Sequence, residues 1–362
     1  MNTELLAFLK DTEEELLSYY RSHRPFSHTP EELHRGAFVY FERGGKRLRP
    51  GICRLAAGEM GGERAAREAV PCALALELYH NWTLIHDDMI DHDDTRRGKK
   101  SVHRLIRDEF SGVLSASCAS EYAMDTALLA GDALHSASIA YLSHLSDSGF
   151  VPPAVTLRIL SLLEGEYGPR LICGETEDTK LGLFYPENAM QNVTSEEILA
   201  MIAGKTGALF GISALSGAMI GAAGDPEKED ACFALARFAE ACGMAFQLQD
   251  DILGVTADET KLGKPVGSDI REGKPTLLLL ASYKNASAEE KEFLDSVVGK
   301  SDDPAAIEKA RALICARGGI EETRHTARAY LKEAEKALAP LPPSPWKKML
   351  EQWKDSMLQR EM

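Results

Sequence analysis

The stretch ALALELYHNWTLIHDDMIDHDDTRRGKK, residues 73–100, joins an apolar, helix-forming run to a dense cluster of charges. Residues 84–100 alone hold five aspartates, two arginines and two lysines. Most such clusters are solvated surface, either a helix end followed by a charged loop or a flexible linker. The spacing here indicates more, because Asp87 and Asp91 stand at i and i+4 and share one face of a helix.

This acidic face predicts a metal site. Two carboxylates that lie close together repel each other and do not both stay ionised without a cation. Oxygen ligands with no soft ligand nearby suit Mg²⁺. A second pair, Asp250 and Asp251, ends another apolar run in FQLQDDILG, residues 246–254. If the two helices face one another, the two pairs line the mouth of one cavity and can hold several Mg²⁺ ions.

Basic residues beside glycines complete the pattern. Taken singly, each would be an ordinary solvated side chain. Together, cations near glycine turns and helix ends are typical of phosphate-binding sites, and they indicate a substrate with several phosphate charges above an apolar cavity. The segments are GGKRLRP (44–50) with Lys46 and Arg49, TRRGKK (95–100) with Arg96 and Arg97, AGKTGALF (203–210) with Lys205 and Thr206 at a predicted helix start, and LGKPVGSDIREGKPT (262–276) with Lys264 and Lys274.

Composition is that of an acidic globular protein. The chain has 362 residues, of which 44% are hydrophobic, and its formal net charge is −15. A chain-wide basic surface for nucleic acid is therefore absent, and we expect no nucleic-acid partner. The seven cysteines are scattered without a CxxC pair, which indicates reduced thiols. The first residues do not resemble a signal peptide, and no apolar stretch is expected to span a membrane, so we predict a cytoplasmic protein.

Apolar residues recur at helical spacing along most of the chain, and no convincing alternating strand is present. We therefore predict an all-α protein of more than ten helices, forming one domain over residues 1–362. Two segments, 91–123 and 254–275, are predicted to be long loops, and loops of that length are usually functional or disordered. The predicted helical runs are 3–23, 27–45 (including its start and stop residues), 49–62, 64–90, 124–146, 152–174, 195–222, 226–253, 275–284, 287–299, 303–317, 320–337 and 343–359.

In their order and wording, these motifs resemble the trans-isoprenyl diphosphate synthases, the polyprenyl synthetase family. HDDMIDHDDTRRGKKSVH (86–103) is similar to the family's first aspartate-rich motif, and GGKRLRP to its first substrate-binding segment. LLAGDAL (128–134), AGKTGALF and residues 246–276 are similar to its later segments. The match runs from about residue 30 to 285, and residues 246–276 look most like the archaeal geranylgeranyl and farnesyl diphosphate synthases.

The resemblance implies a single large helical bundle of the isoprenoid synthase type, three Mg²⁺ ions, a homodimer, and a reaction between isopentenyl diphosphate and allylic diphosphates. It also implies a role for each matching residue. The implied metal ligands are Asp87, Asp91 and Asp250. The implied ligands of isopentenyl diphosphate are Lys46, Arg49, His80 and Arg97; those of the allylic diphosphate are Arg96, Lys205, Lys264 and Lys274; and Thr206, Phe246 and Gln247 lie near the reacting carbons.

The chain departs from the family pattern at three places. Gly254 stands where the second motif usually has its third aspartate, and Glu175 stands where the family usually has glutamine, with Asp178 kept. About 16 extra residues, roughly 108–124, lie between His103 and LLAGDAL. Because this segment is rich in Ser, Ala and Gly, we expect it to be a surface excursion that adds little to the core.

The residues four and five before the first aspartate line the product channel in this family, and here they are Thr83 and Trp82. Thr83 is small and one turn, about 5.4 Å, from Asp87, so it should not block a growing chain. Trp82 is large enough to form the channel floor, although it could equally be core filler. As a floor it favours geranylgeranyl (C20) diphosphate, with farnesyl (C15) diphosphate as a minor or alternative product.

Three other functions are compatible with parts of the pattern. An all-α metal-dependent phosphohydrolase is suggested by HDD with His80 and His92 nearby, but it would use several histidine ligands. A non-catalytic regulatory subunit of a prenyl synthase typically lacks one aspartate motif, and both are present here. A class I terpene cyclase shares the metal chemistry but has no use for GGKRLRP as a second diphosphate site.

Overall fold

The computed structural model describes residues 3–26, 30–188, 190–256 and 267–358. Almost every element in these ranges is an α-helix, as predicted. The helices are α1 Thr3–Ser22, α2 Glu31–Glu42, α3 Leu48–Glu68, α4 Val70–Ile90, α5 Val102–Phe110, α6 Ala116–Ser143, α7 Pro153–Leu162, α8 Gly168–Asn188, α9 Ser195–Ile202, α10 Ala208–Ala222, α11 Glu229–Thr256, α12 Ser268–Glu272, α13 Leu277–Asn285, α14 Ala288–Val297, α15 Pro304–Ala316, α16 Gly319–Leu338 and α17 Pro345–Asp355.

One small β-hairpin departs from the all-helical prediction. Strands β1 Thr95–Arg96 and β2 Lys99–Lys100 pair antiparallel, with Arg96 opposite Lys99. The two residues between them have positive φ, 52° at Arg97 and 70° at Gly98. Positive φ at both central residues is the requirement of a type I′ turn, which joins two-residue hairpins. The Arg-Arg-Gly sequence therefore forms a hairpin whose tip carries Arg97.

The prediction of a long loop over residues 91–123 is wrong, because α5 and the start of α6 lie within it. Residues 111–118 are exposed, as expected of a surface excursion, but residues 119–124 pack as helix. Buried alanines, among them Ala119 and Ala123, form the inner face of α6. Small side chains produce no wide apolar stripe in the sequence, so the sequence pattern does not reveal this helix start.

The described residues divide into two compact units, each assembled from separate parts of the chain. Unit one comprises Met1–Gly165, Ile212–Ala236 and Pro340–Trp353, and unit two comprises Glu166–Gly211, Arg237–Ala339 and Lys354–Met362. The assignment of residues 1–362 to one domain, like the central apolar cavity, stays a prediction.

In unit one, α4 packs against α3 and α6, and α6 also contacts α2 and α5. Large side chains that are almost fully buried, such as Tyr79, Phe38 and Phe41, fill this core. Helix α4 is buried along most of its length and becomes accessible only near its carboxyl end. A rigid, buried helix of this kind fixes the position of the acidic residues in its last turn.

In unit two, a continuous apolar cluster extends over α9, the second half of α11, and α13 to α16. The described residues form two π-helical turns, Leu163–Tyr167 before α8 and Ala203–Gly207 between α9 and α10. Turns of this type insert one extra residue into a helix and are frequent at functional sites.

Two helical stretches, Ser195–Ala222 and Pro226–Thr256, are long and apolar enough to cross a membrane. By the criteria of length and composition, the expectation that no apolar stretch is long enough to span a membrane is therefore wrong. Their most apolar windows are 72% and 67% buried inside the protein, which is typical of core helices. Length and composition alone are thus weak evidence for a membrane span.

Candidate active site

The first aspartate-rich motif lies in the last turn of α4. Asp91 caps the helix, and its backbone N–H donates to the Asp87 carbonyl at 2.8 Å. The two residues are thus one helical turn apart on one side of α4, as predicted. Asp88, which follows Asp87 directly, is buried and only 1% exposed. The motif therefore divides into two accessible carboxylates and one that belongs to the protein interior.

Arg96 of the hairpin holds Asp87 and Asp88 together. Its Nη2 donates to Asp87 Oδ2 and its Nε to Asp88 Oδ1, both at 2.6 Å. Burial by itself would lower the pKa of Arg96, but the bonds to Asp88 and the charge of Asp87 raise it overall. Arg96 stays charged and fixes the hairpin against the end of α4.

Tyr40 of α2 is a part of this arrangement that the sequence did not indicate. Its hydroxyl donates to Asp88 Oδ2 and accepts from the backbone N–H of Val102 at the start of α5. Burial and the neighbouring Asp88 raise the pKa of Tyr40, so the hydroxyl remains protonated and can donate. Tyr40 thereby links α2, α4 and α5 behind the aspartate motif.

His80 and Arg49 form a buried pair on α4 and α3. An Arg49 Nη1 lies 3.1 Å from His80 Nε2. Burial and several nearby arginines hold the pKa of His80 well below its usual range, while burial lowers that of Arg49 to about 10. At neutral pH the imidazole is therefore uncharged and accepts from the guanidinium. A metal ion at His80 would be repelled by Arg49, which disfavours the phosphohydrolase alternative.

The remaining residues of the first basic segments lie nearby in unit one. Arg97 donates from Nη1 to the Gly44 carbonyl at 2.7 Å, which ties the hairpin tip to the glycine turn before Lys46. Arg47, between Lys46 and Arg49, is instead structural, because its buried guanidinium pairs with Glu77 at 2.6 Å. The sequence predicted the cationic segment, and burial decides which of its members is structural.

Lys205 lies in unit two, and its predicted position at a helix start is wrong. It belongs to the π-helical turn Ala203–Gly207 in the middle of a helical stretch, so no helix N-terminus supports it. Its ammonium donates to Asp178 Oδ2 at 2.6 Å and to Glu175 Oε1 at 3.1 Å. Glu175 stands where the family usually has glutamine, and it thus adds a second carboxylate beside this lysine.

Close backbone contact between α8 and the π-turn positions Lys205. A Cβ atom on Gly174 would lie 2.1 Å from the Lys205 backbone nitrogen, and one on Gly204 would lie 2.7 Å from the Arg170 carbonyl oxygen. Both distances are far below van der Waals contact. The two glycines therefore allow α8 and the π-turn to approach each other, which brings Lys205 to Asp178.

Thr206 and the second aspartate motif form a chain of hydrogen bonds. Thr206 Oγ1 donates to Gln247 Oε1 at 3.0 Å, and Gln247 Nε2 donates to Asp251 Oδ1 at 2.9 Å. Burial, with the nearby Asp269, raises the pKa of Asp251 to about 7. Phe246 packs edge-to-face on Phe210 with ring centroids 5.7 Å apart. The predicted group of Thr206, Phe246 and Gln247 is thus assembled in unit two.

Asp250 lies beside Asp251 near the end of α11, as predicted. The space over Gly254 is partly filled by another carboxylate, since a Cβ there would be 3.1 Å from Asp269 Oδ2. The Lys274 ammonium pairs with Glu272 at 3.2 Å. Lys264 lies outside the described residues.

The two residues assigned to chain length differ in their contacts. Thr83 donates to the His80 carbonyl at 2.8 Å within α4. Trp82 packs on Tyr79 and on His135 of α6, each with ring centroids 4.8 Å apart. Its buried indole N–H has no hydrogen-bond partner among the residues that the structure describes. Trp82 is thus a large, anchored side chain at the contact between α4 and α6.

The donor set fits a magnesium ion that retains waters. Within the described ranges, no cluster of three or more His, Cys, Asp or Glu side chains is arranged to hold a metal ion. Magnesium is usually held by one or two carboxylates together with substrate phosphates and waters, and not by a complete protein cage. Asp87 and Asp91 offer only carboxylate oxygens as ligands, without sulfur or imidazole. They therefore match this mode of binding.

The comparisons with known proteins agree on one family. The polyprenyl synthetase family profile matches residues 30–314. The chain is 34% identical over 334 residues to the short chain isoprenyl diphosphate synthase of Methanothermobacter thermautotrophicus, covering 92% of each protein.

Two solved structures are similar over nearly their whole length. A geranylgeranyl pyrophosphate synthetase from Pyrococcus horikoshii has a TM-score of 0.83 and 34% identity, with 99% of each chain covered. A geranylgeranyl pyrophosphate synthase from Corynebacterium glutamicum, complexed with isoprenyl diphosphate and magnesium, has a TM-score of 0.82 and 27% identity, again with 99% of each chain covered. Sequence and structure agree with the resemblance of the motifs: the chain belongs to the polyprenyl synthetase family and is a trans-prenyltransferase.

Proposed function

We propose that this prenyltransferase condenses isopentenyl diphosphate with allylic diphosphates (dimethylallyl, geranyl and farnesyl). Geranylgeranyl diphosphate would be its main product and farnesyl diphosphate a minor one. The observation that carries the proposal is the end of α4, where accessible Asp87 and Asp91 adjoin a hairpin that presents two arginines. Two carboxylates beside clustered cations suit a metal-bound diphosphate.

The residues of unit one provide one part of the proposed chemistry. Asp87 and Asp91 would hold Mg²⁺ on the allylic diphosphate, and Arg96 would orient Asp87 through its 2.6 Å bond. Lys46, Arg49 and Arg97 would bind isopentenyl diphosphate. Neutral His80, which accepts from Arg49, would fix the guanidinium in place.

The residues of unit two provide further contacts. Lys205 and Lys274 would bind the allylic diphosphate, as would Lys264 outside the described residues. Asp250 would hold a third Mg²⁺ ion. Thr206 and Gln247, bonded to each other at 3.0 Å, would lie near the reacting carbons, with Phe246 as a neighbouring wall.

The reaction follows from where charge develops. The C–O bond of the allylic substrate breaks, giving an allylic carbocation and pyrophosphate. Magnesium, when bound, supplies Lewis-acid stabilisation of the departing phosphate charge. Preorganised lysines and arginines add electrostatic stabilisation of the same charge. The double bond of isopentenyl diphosphate then attacks the cation, and a proton leaves to the pyrophosphate, so no side-chain nucleophile is required.

The assay that tests the proposal supplies radiolabelled isopentenyl diphosphate with each allylic starter and Mg²⁺, and measures product chain length. We expect mainly C20 product from dimethylallyl, geranyl and farnesyl diphosphate, with some C15 product from the two shorter starters. Adding EDTA should abolish the reaction, because the carboxylates bind substrate through the metal. Products longer than C20 would contradict the proposed chain length, and release of pyrophosphate without condensation would contradict the proposed reaction.

Truncating the proposed channel floor should lengthen the product. In Trp82→Ala the indole that packs on Tyr79 and His135 is removed, so we expect products beyond C20 while condensation continues. Trp82→Phe keeps a large ring and should keep the wild-type product. Product length is read by chromatography after dephosphorylation. If the alanine variant makes the wild-type distribution, the floor lies elsewhere and Trp82 is core.

We also propose that the protein is a cytoplasmic homodimer. An apolar surface on unit one supports self-association, since adjacent Leu128 and Leu129 of α6 are 46% and 56% exposed. Clustered exposed leucines are typical of protein contact surfaces. The exposed face of α6 would then be covered by a second copy.

A further inference from the structure

A cavity in unit one is unusually rich in positive charge. Its cavity volume is about 60 Å³. Four of its six lining residues are cationic, and none is a carboxylate. The lining residues are Tyr40, Arg43, Leu84, Arg96, Arg97 and Lys99.

Two of these cations have no role in the site described so far. Arg43 caps the carboxyl end of α2; its Nη1 donates to the Lys100 carbonyl at 2.7 Å, and its guanidinium lies over the Tyr40 ring. Lys99 faces the cavity from the hairpin. In the part of the chain that the structure describes, its ammonium makes no ion pair or hydrogen bond with protein. Both side chains are therefore placed by backbone elements and lack a carboxylate partner.

The charge in the cavity is only partly compensated by the protein. Arg96 is neutralised by Asp87 and Asp88. Arg97 donates to the Gly44 carbonyl, which carries no formal charge. Burial lowers the pKa of Arg43 and of Arg97. Like charges this close repel one another, and a multiply charged anion between them would relieve the repulsion.

We propose that Arg43 and Lys99 extend the isopentenyl diphosphate subsite, where they bind the diphosphate group together with Arg97. The inference rests on the proposed function. Leu84 supplies the single aliphatic side chain of the cavity lining. One apolar residue in a mainly cationic lining suits a short isoprene unit with a diphosphate head and does not suit a long prenyl chain. The cavity would thus be specific for the five-carbon substrate.

Binding of isopentenyl diphosphate alone tests the proposal, because this substrate cannot condense without an allylic partner. Calorimetric titration with Mg²⁺ present gives Kd for wild type, Arg43→Ala, Lys99→Gln and the double variant. Losing one partly exposed cation should raise Kd about 3- to 10-fold, and the two effects should multiply. Arg43→Lys keeps the charge and should recover most of the affinity. Matched controls are Arg64→Ala and Lys10→Gln, whose side chains are exposed elsewhere on unit one.

A second titration, with dimethylallyl diphosphate, tests whether the two cations bind isopentenyl diphosphate or the allylic diphosphate. We expect its Kd to change less than about 2-fold in both variants, because the proposed contacts serve only isopentenyl diphosphate. Equal losses for both ligands would overturn the assignment, as would unchanged binding of isopentenyl diphosphate by Lys99→Gln, which breaks no bond within the protein. Failure of the wild type to bind isopentenyl diphosphate would instead contradict the proposed function itself.

Discussion

Asp87→Asn is expected to lower kcat/KM by roughly 100- to 1,000-fold while the protein remains folded. The substitution keeps the shape of the side chain but removes the negative charge that would hold Mg²⁺ on the allylic diphosphate. Loss of a metal ligand removes several kcal/mol of transition-state stabilisation, and each 1.4 kcal/mol corresponds to about tenfold in rate. The Asp87 side chain is 16% exposed, so an uncharged amide can be solvated there. Steady-state kinetics with Mg²⁺ and circular dichroism melting measure the two effects.

Asp88→Asn provides the contrast within the same motif. Asp88 is only 1% exposed and accepts hydrogen bonds from both Tyr40 and Arg96, so water cannot compensate for the lost charge there as it can at Asp87. Breaking one partner of a buried ion pair is strongly destabilising, and we expect the melting temperature to fall clearly in this variant. Asp125→Asn, on the exposed side of α6, should change neither property. Near-normal turnover by Asp87→Asn would contradict its proposed role as a metal ligand.

The sequence was sufficient for most helices and for the relative placement of Asp87 and Asp91 on one of them. Asp87 and Asp91 are separated by one helical turn, so their common face could be predicted from spacing alone. Most helix bounds could be predicted because apolar periodicity and capping residues are local properties of the sequence. The start of α6 could not be predicted because its buried face is made of alanines, and alanines next to Ser and Gly resemble the composition of a loop.

The partners of each charged residue could not be predicted, because they depend on which segments fold together. Arg47 and Arg49 stand two positions apart, yet one pairs with Glu77 and the other with His80. Tyr40 contacts Asp88 across 48 positions of sequence, and nothing near Tyr40 indicates this. Tertiary contacts also decide that Lys205 lies in a π-turn, since its sequence neighbours suggested a helix start.

The approach of α8 to the π-turn predicts the largest stability effect in unit two. In Gly174→Ala the new Cβ would lie 2.1 Å from the backbone nitrogen of Lys205 and 2.6 Å from the carbonyl carbon of Gly204. Both atoms belong to the backbone, so no side-chain rotation can relieve the clash, and the two segments must move apart. Overpacking of this kind costs about 1–3 kcal/mol or more.

The same displacement should reduce activity, because Lys205 would move from its position beside Asp178. Misplacing a catalytic group by about 1 Å can cost 100-fold in rate, so we expect kcat to fall at least tenfold. Gly182→Ala is the matched control on the same helix, since among the described residues its Cβ would meet only the Glu272 carbonyl oxygen at 4.0 Å. Alanine is a better helix former than glycine, so Gly182→Ala should be neutral or stabilising by about 0.5–1 kcal/mol, with normal turnover. If chemical denaturation finds Gly174→Ala as stable as Gly182→Ala, the backbone contact does not position Lys205.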